Sequence, residues 1–121
     1  ALGEAAVMLQ NKNIRKHCLF FIGVFMALTK FGFIVVGDDF VQHQGTERFS
    51  MKVVGVKNPS QGPAVAQEMV AEGIQLIELC SGFSPVWTGK VLEAINYAVP
   101  VGVVTYGPPS IDGVYRLLYA K

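Results

Sequence analysis

The residues best suited to chemistry lie in the stretch LIELCSGFSPVW, 76–87, which runs from an apolar segment through a cysteine into a helix-like pattern. A strand that ends at Cys80, close to the first turn of a helix, places the thiol beside unpaired backbone N–H groups. Such a position favours the thiolate, the nucleophilic form of cysteine. A nucleophile also needs a base, and neither His17 nor His43 lies in a segment that must approach Cys80. Cys80 is therefore a catalytic candidate, and an ordinary buried thiol is the alternative.

A carboxylate lies two residues earlier, in an otherwise apolar strand pattern. Glu78 would be costly inside a covered sheet unless it is paired or lies near the open end of its strand. Two interpretations remain open. One is a structural role, through an ion pair with Arg48, Lys52 or Lys90 or through hydrogen bonds to loop N–H groups. The other is a carboxylate that binds a ligand or acts as an acid or base.

The loop after Cys80 supplies groups that suit a small ligand. Backbone N–H groups of 81–83 and the Ser81 hydroxyl could anchor a small anion, while the rings of Phe83, Trp87 and Tyr106 could form an apolar wall. Packing in a core or an interface is the alternative role of these rings. The predicted ligand-binding residues are Glu78, Cys80, Ser81, Gly82, Phe83, Tyr106 and Gly107, with Glu78 and Cys80 also the catalytic candidates.

Alternating strand and helix patterns position these residues. Apolar runs predict strands at 30–37, 50–56, 74–80 and 100–107. Capping residues and prolines predict helices at 58–73 and 84–98, with a short helix at 110–120. This alternation indicates right-handed crossovers, and hence a small three-layer α/β domain, flavodoxin-like or Rossmann-like, with a mostly parallel sheet of about four strands.

The predicted fold places the candidate residues together at the carboxyl edge of the sheet. Ligands of parallel sheets bind at the carboxyl ends of the strands, near the point where the strand order reverses. The polar stretch 38–49 is predicted to be a loop. No glycine pattern for dinucleotides or nucleoside triphosphates follows any strand, and the cysteines and histidines lack metal-ligand spacing. No cofactor and no metal site are predicted.

Composition limits the partners. Of the 121 residues, 51% are apolar and 16% charged, whereas ordinary globular domains have about 25% charged residues. Scarce polar surface favours a homo-oligomer, a dimer or larger. The net charge of +1, with scattered Lys and Arg, gives no electrostatic footprint for nucleic acid. Two cysteines without paired spacing favour a cytoplasmic protein.

The beginning of the chain differs from the rest. Residues 1–28 are expected to form an apolar extension packed in an oligomer interface, followed by the α/β domain at 29–121, and Met26 could itself be a start codon. Basic residues before CLFFIGVFMAL, 18–28, resemble a signal peptide, but no A-x-A cleavage pattern follows. The run is shorter than the roughly 20 residues of a spanning helix, so no membrane insertion is expected.

Three tracts carry a family resemblance. From Met26 onward, KFGFIVVG, AEGIQLIELCSGFSPVWTGKV and VPVGVVTYGPPSIDG resemble a family of small uncharacterised bacterial α/β proteins, a domain of unknown function. IELCSGF together with VGVVTYG is the most specific part. The resemblance implies no known reaction. A short α/β chain with an unusual N-terminal extension is also similar to the products of mobile integron gene cassettes.

Three functions remain open on this basis. The leading hypothesis is binding of a small metabolite or anion at the carboxyl end of the sheet. The alternatives are a small hydrolase or isomerase that uses Cys80 or Glu78, and a structural or partner-binding subunit without catalysis. A closed pocket with a reactive pair would indicate the enzyme, and aromatic residues buried against another chain would indicate the subunit.

Overall fold

A computed structural model describes residues 27–121, which form a five-stranded sheet with three α-helices. The elements are β1 Lys30–Val36, β2 Phe40–Gly45, β3 Ser50–Val56, α1 Gly62–Ala71, β4 Leu76–Leu79, α2 Pro85–Ala94, β5 Val101–Val103 and α3 Ile111–Leu118. The strand order is β2-β3-β1-β4-β5, and every neighbouring pair is parallel except β2 with β3. The predicted α/β class and mostly parallel sheet are confirmed.

The prediction of a loop over 38–49 is wrong, because β2 lies within it. This strand pairs antiparallel with β3, placing Val41 opposite Val54 and His43 opposite Lys52. A short turn closes the hairpin, in which the Thr46 N–H donates to the carbonyl of Phe49 over 2.7 Å. All six residues of β2 are exposed. An edge strand of this kind has no buried face, so the sequence lacks the apolar alternation that marks a strand.

The helices begin and end at the capping residues, prolines and glycines that the sequence predicted. Ser84 caps α2, its Oγ accepting the Trp87 N–H over 3.3 Å, and Pro85 occupies the first helical position. Helix α1 ends before Gly73, which adopts φ +88°. This backbone conformation is unfavourable for any residue with a Cβ, so glycine suits the position. These signals fix where each helix begins and ends relative to the strands.

Helices α1 and α2 pack on one face of the sheet, called the helical face. The core contains Ile34, Val54, Val56, Ile77 and Leu79 from the strands, and Ala66, Met69, Val91 and Ile95 from the helices. Gly32 permits a close approach of α1 to β1, since a Cβ there would lie 2.7 Å from the Met69 Sδ and 3.0 Å from the Ile74 Cγ2. The missing side chain of Gly32 therefore sets the distance between α1 and β1.

The opposite face, called the second sheet face, carries the alternating residues Phe31, Phe33, Val35, Met51, Val53 and Leu76, all half-buried. Among residues 27–121, none of the helices that form the core lies on it. In a doubly wound fold, a helix joins neighbouring parallel strands across such a face. Here β2 makes the connection from β1 to β3, so the described residues form two of the three predicted layers.

The expected packing of the extension concerns residues 1–26, which lie outside the described part of the chain. Within 27–121, no helix has both the length and the apolar character needed to cross a bilayer.

Candidate functional site

The strand order reverses between β1 and β4, since the chain leaves β1 toward β3 and leaves β4 toward β5. Ligands of open parallel sheets bind outside the carboxyl ends of the strands at this point. Two segments meet there: 37–39 after β1, and the loop 80–84 between β4 and α2. The loop carries four of the predicted site residues, Cys80, Ser81, Gly82 and Phe83.

Cys80 and Gly82 fill the crevice between β1 and β4. The Cys80 Sγ accepts the N–H of Val36 over 3.1 Å and that of Gly82 over 3.4 Å. A Cβ at Gly82 would lie 3.0 Å from the Val36 Cβ and 3.3 Å from the Cys80 Sγ, so the loop lies tightly against β1. In this arrangement the half-buried thiol fastens the loop to the end of β1.

No histidine of the described part of the chain lies beside this thiol. His43 lies on β2, three strand positions from β4, and the usual strand separation makes that distance about 14 Å. Among the described residues, the arrangement of nucleophile and histidine base that a hydrolase of this type requires is not assembled. His17 lies outside them.

A cleft of about 420 Å³ opens beside this loop, between the end of β5, the start of α2 and helix α3. We call it the carboxyl-edge cleft. It is lined by Ser81, Phe83, Ser84, Pro85, Val103, Val104, Thr105, Tyr106, Ile111, Val114, Tyr115 and Tyr119. Three predicted residues, Ser81, Phe83 and Tyr106, come together here. None of the lining side chains carries a formal charge at neutral pH.

Phe83 forms the floor of the cleft and also belongs to the core. The residue is only 2% exposed, and its ring occupies the space that a side chain at Gly62 would need. Trp87 does not line the cleft; it packs beside the core, and the Lys90 Nζ lies 4.2 Å from the centre of its indole ring. Packing therefore accounts for Trp87, whereas Phe83 has both roles.

The backbone donors predicted as anion anchors are largely engaged within the loop. The Gly82 N–H donates to the Cys80 Sγ, and the Phe83 N–H donates to the Cys80 carbonyl over 3.1 Å. At the start of α2, the Trp87 N–H is capped by Ser84, and a proline has no N–H to offer. Side-chain hydroxyls, such as that of Ser81, are thus the main polar groups of the cleft.

Glu78 and Gly107 lie away from the cleft. Glu78 alternates with two buried neighbours and so projects from the second sheet face, level with Phe33 on β1 and Gly102 on β5. It is exposed, and in residues 27–121 it forms none of the ion pairs considered from the sequence. Gly107 is exposed at the start of the turn that leads into α3, where its carbonyl accepts the Ser110 N–H over 3.0 Å.

At the carboxyl edge one lysine lies beside two aspartates and offsets part of their negative charge. The Lys57 Nζ lies 3.4 Å from the Asp39 Oδ2 and 4.0 Å from the Asp38 Oδ1. Within the described residues, no group of three or more His, Cys, Asp or Glu side chains is arranged to hold a metal ion.

An ion pair between a buried lysine and an exposed glutamate lies on the helical face, away from this edge. The Lys52 Nζ, largely buried, donates to the Glu72 Oε1 over 2.7 Å. This hydrogen bond holds the pKa of Glu72 below its usual value, although the partial burial of Glu72 opposes the effect. The positive charges of Lys52, His43 and Lys30 lower it further.

A second cleft, of about 600 Å³, lies at the amino edge of the sheet between residues 27–30 and 46–50. It borders residue 27, where the described part of the chain begins, and no site is assigned to it.

Helix α3 and the residue that follows it provide four lining residues that the sequence did not assign to the site: Ile111, Val114, Tyr115 and Tyr119. The available signal was their spacing, which places them on one side of a helix. The spacing alone could not distinguish a helix that docks on the core from one that walls a cleft.

A mostly parallel sheet, two helices on one face and an apolar cleft at the carboxyl edge define a small α/β domain. The model of a family of unknown function, DUF6506, matches residues 29–118, from just before β1 to the end of α3. The chain belongs to this family, which confirms the resemblance to a domain of unknown function. A search of curated proteins finds no significant match.

Proposed function

We propose that this protein binds a small, largely apolar metabolite in the carboxyl-edge cleft. The supporting observation is the position of the cleft outside the carboxyl ends of β4 and β5, since the carboxyl edge is where parallel sheets bind their ligands. Its volume of about 420 Å³ falls in the range of roughly 300 to 1,000 Å³ that is typical of small-molecule pockets.

The lining chemistry narrows the ligand class. Aromatic and aliphatic side chains, among them Phe83, Val103 and Tyr115, suit an apolar body. The hydroxyls of Ser81 and Tyr106 suit one or two polar groups. The lining contains no Lys, Arg or His, so a multiply charged anion such as a phosphate ester would lose its hydration without a cation in exchange. An uncharged or singly charged ligand fits better.

A thermal-shift screen with a metabolite library tests this proposal. We expect apolar and singly charged compounds to raise the melting temperature, since a ligand at 100 times its dissociation constant adds about 2.7 kcal/mol of stability. Tyr106→Ala, which removes part of the wall, and Val114→Trp, which fills the cleft, should both abolish the shift.

Tyr97→Ala is the matched control, because Tyr97 is an exposed tyrosine outside the cleft, and this variant should keep the shift. A library without hits would contradict the proposal, as would hits that persist in Val114→Trp. Hits confined to phosphate esters would contradict the ligand class.

A second function, association with another copy of the chain, is favoured by the outer surface of α3. Leu117 is 86% exposed, and Leu118 is also exposed, whereas monomers rarely expose contiguous apolar patches of large size. We expect Leu117→Lys to shift the sedimentation coefficient toward that of a monomer. Val86→Lys, on the exposed side of α2, is the control that should not. A wild-type chain that sediments as a monomer at all concentrations would contradict this function.

The cellular setting rests on sequence features alone. A cytoplasmic location is supported by the absence of paired cysteine spacing in the chain. An origin in a mobile integron cassette is supported only by the short α/β form and the apolar extension. Catalysis by Cys80 or Glu78 remains a prediction, which the loss of a ligand-dependent turnover in Cys80→Ser or Glu78→Gln would support.

A further inference from the structure

The carboxyl-edge cleft is enriched in aromatic side chains. Four of its twelve lining residues are aromatic: Phe83, Tyr106, Tyr115 and Tyr119. Aromatic residues make up only 11% of the whole chain, and three of its four tyrosines are among these lining residues. Ring surfaces therefore form a larger part of the cleft than the composition of the chain would provide.

These rings border the cleft from several sides. Phe83 forms the floor, Tyr106 follows β5, Tyr115 lies on α3 and Tyr119 comes directly after α3. The ring centres of Tyr115 and Tyr119 are 6.4 Å apart, and their planes are inclined by 29°. A compound in the cleft thus meets aromatic surface from the loop after β4, from the segment after β5 and from α3.

The three tyrosines offer much of their ring surface to a ligand. Tyr106, Tyr115 and Tyr119 are 50%, 59% and 63% exposed, so packing in the core does not account for them. A tyrosine has two χ angles to fix, and it therefore contributes a large contact area at a low entropic cost. Aromatic rings also attract one another beyond the effect of area burial, either stacked with an offset or edge to face. A planar ring is therefore the shape that gains most from these side chains.

Charge favours a neutral or anionic polar group over a cation. Aromatic rings can bind a cation over their faces, but none of the described residues that line the cleft is Asp or Glu. Ser84 and Pro85, at the start of α2, are lining residues, and the amino end of a helix carries a partial positive charge that disfavours a cation. The hydroxyls of Ser81 and Thr105 can donate to a carbonyl or carboxylate oxygen.

We propose that the ligand of the carboxyl-edge cleft is a planar aromatic compound whose polar group is uncharged or a single carboxylate. This inference rests on the proposed function, and it narrows the ligand class from apolar compounds in general to aromatic ones. The tyrosine rings pack against the ring system of the ligand, and hydroxyls such as that of Ser81 bind its polar group.

A matched pair of probes tests the aromatic requirement. Naphthoate and decahydronaphthoate have the same carbon skeleton and the same carboxylate, but only naphthoate is planar and aromatic. Isothermal titration calorimetry of the full chain at neutral pH measures both dissociation constants. We expect naphthoate to bind about fivefold more tightly, which corresponds to about 1 kcal/mol, the value of one aromatic pair. Burial of apolar surface alone predicts the opposite order, because the saturated compound is larger and more apolar.

Variants of the cleft test whether the tyrosines cause this preference. Tyr106→Leu combined with Tyr115→Leu removes two rings but keeps apolar side chains, so naphthoate should bind within about twofold of decahydronaphthoate. Both tyrosines are at least half exposed, so the fold should tolerate the double variant. Tyr97→Leu, outside the cleft, is the control that should keep the full preference.

The outcomes separate this inference from the proposed function. Equal or tighter binding of decahydronaphthoate would overturn the aromatic class while the cleft remains a binding site, and so would a preference that persists in the double variant. Tighter binding of the cation naphthylmethylammonium than of naphthoate would overturn the choice of polar group. If neither carboxylate binds although the thermal-shift screen gives hits, the aromatic class is wrong. If the probes and the screen both fail, the proposed function itself is contradicted.

Discussion

At the residue scale, Gly32 shows how one missing side chain sets the packing of a whole layer. Met69 and Ile74 occupy the space over Gly32 that a Cβ would need. Interiors are close-packed, so an added methyl group must displace its neighbours.

We therefore expect Gly32→Ala to lower the free energy of unfolding by about 1 to 3 kcal/mol, the usual cost of overpacking. Urea denaturation measures this value. Gly37→Ala is the control, because a Cβ at Gly37 would meet nothing within 4 Å. Equal stabilities of the two variants would show that Met69, a flexible side chain, yields without cost.

The Lys52–Glu72 ion pair predicts a pH dependence. The hydrogen bond from Lys52 lowers the pKa of Glu72 in the folded state, so folding favours the carboxylate. The stabilisation is present above the unfolded pKa of about 4.3 and is lost as the pH falls through the lower folded pKa.

Glu72→Gln should therefore be less stable than the wild type at pH 7, and the difference should shrink below about pH 4. The midpoints of urea denaturation at a series of pH values measure this difference in stability. Glu68→Gln, on the exposed side of α1, is the control. Its stability relative to the wild type should not change with pH in this way. A difference that stays constant down to pH 3 would contradict the pairing.

At the element scale, the turn that follows α2 contains two consecutive residues in the left-handed region. Asn96 has φ 52° and Tyr97 has φ 55°. Asparagine tolerates this conformation, whereas for a tyrosine it costs on the order of 1 kcal/mol.

Tyr97→Gly should raise the stability by about 0.5 kcal/mol, since relief of the strain exceeds the added flexibility of the unfolded chain. Ala98→Gly adds the same flexibility at a neighbour without a positive φ, so it should lower the melting temperature. Calorimetry ranks the two variants against the wild type, and a destabilised Tyr97→Gly would mean that the tyrosine ring contributes more than its exposure suggests.

The elements differ in how far the sequence could predict them. Strands β1 and β3 were predicted almost to their ends because their apolar runs pack in the centre of the sheet. Strand β2 was missed because its FVQHQG sequence has no buried side. The periodicity of apolar residues in a sequence reflects which side chains are buried. An exposed edge strand is held by backbone hydrogen bonds, which do not depend on the side chains and so produce no periodicity.

At the scale of the whole molecule, the cleft and the core share a residue. Phe83 is nearly inaccessible, contacts the position of Gly62 and forms the floor of the cleft. Phe83→Leu should lower the free energy of unfolding by about 1 to 3 kcal/mol, because the smaller side chain leaves a cavity. Phe40→Leu, at an exposed edge position, should cost much less. Urea denaturation followed by both Trp87 fluorescence and circular dichroism measures each value, and equal costs would contradict the dual role.

Sheet topology, a property of the whole molecule, explains why part of the candidate site could be predicted from the sequence. Ser81, Phe83 and Tyr106 follow strands whose ends must meet at one edge, so the topology rule brought them together. Glu78 was assigned to the same site because its position within β4 was not known from the sequence. A shift of one residue in the end of a strand decides whether a side chain faces a ligand at the edge or projects from the sheet.

The floor of the cleft belongs to the core, whereas its walls are exposed. This difference limits which substitutions can change the ligand specificity of the cleft. Substitutions at Phe83 alter the ligand surface and the stability together, so few of them would yield a folded protein. Tyr106, Ile111, Tyr115 and Tyr119 are each at least half exposed, and exposed positions tolerate most replacements. A laboratory selection for a new ligand should therefore accumulate its changes in α3 and the segment before it, while the loop after β4 stays as it is.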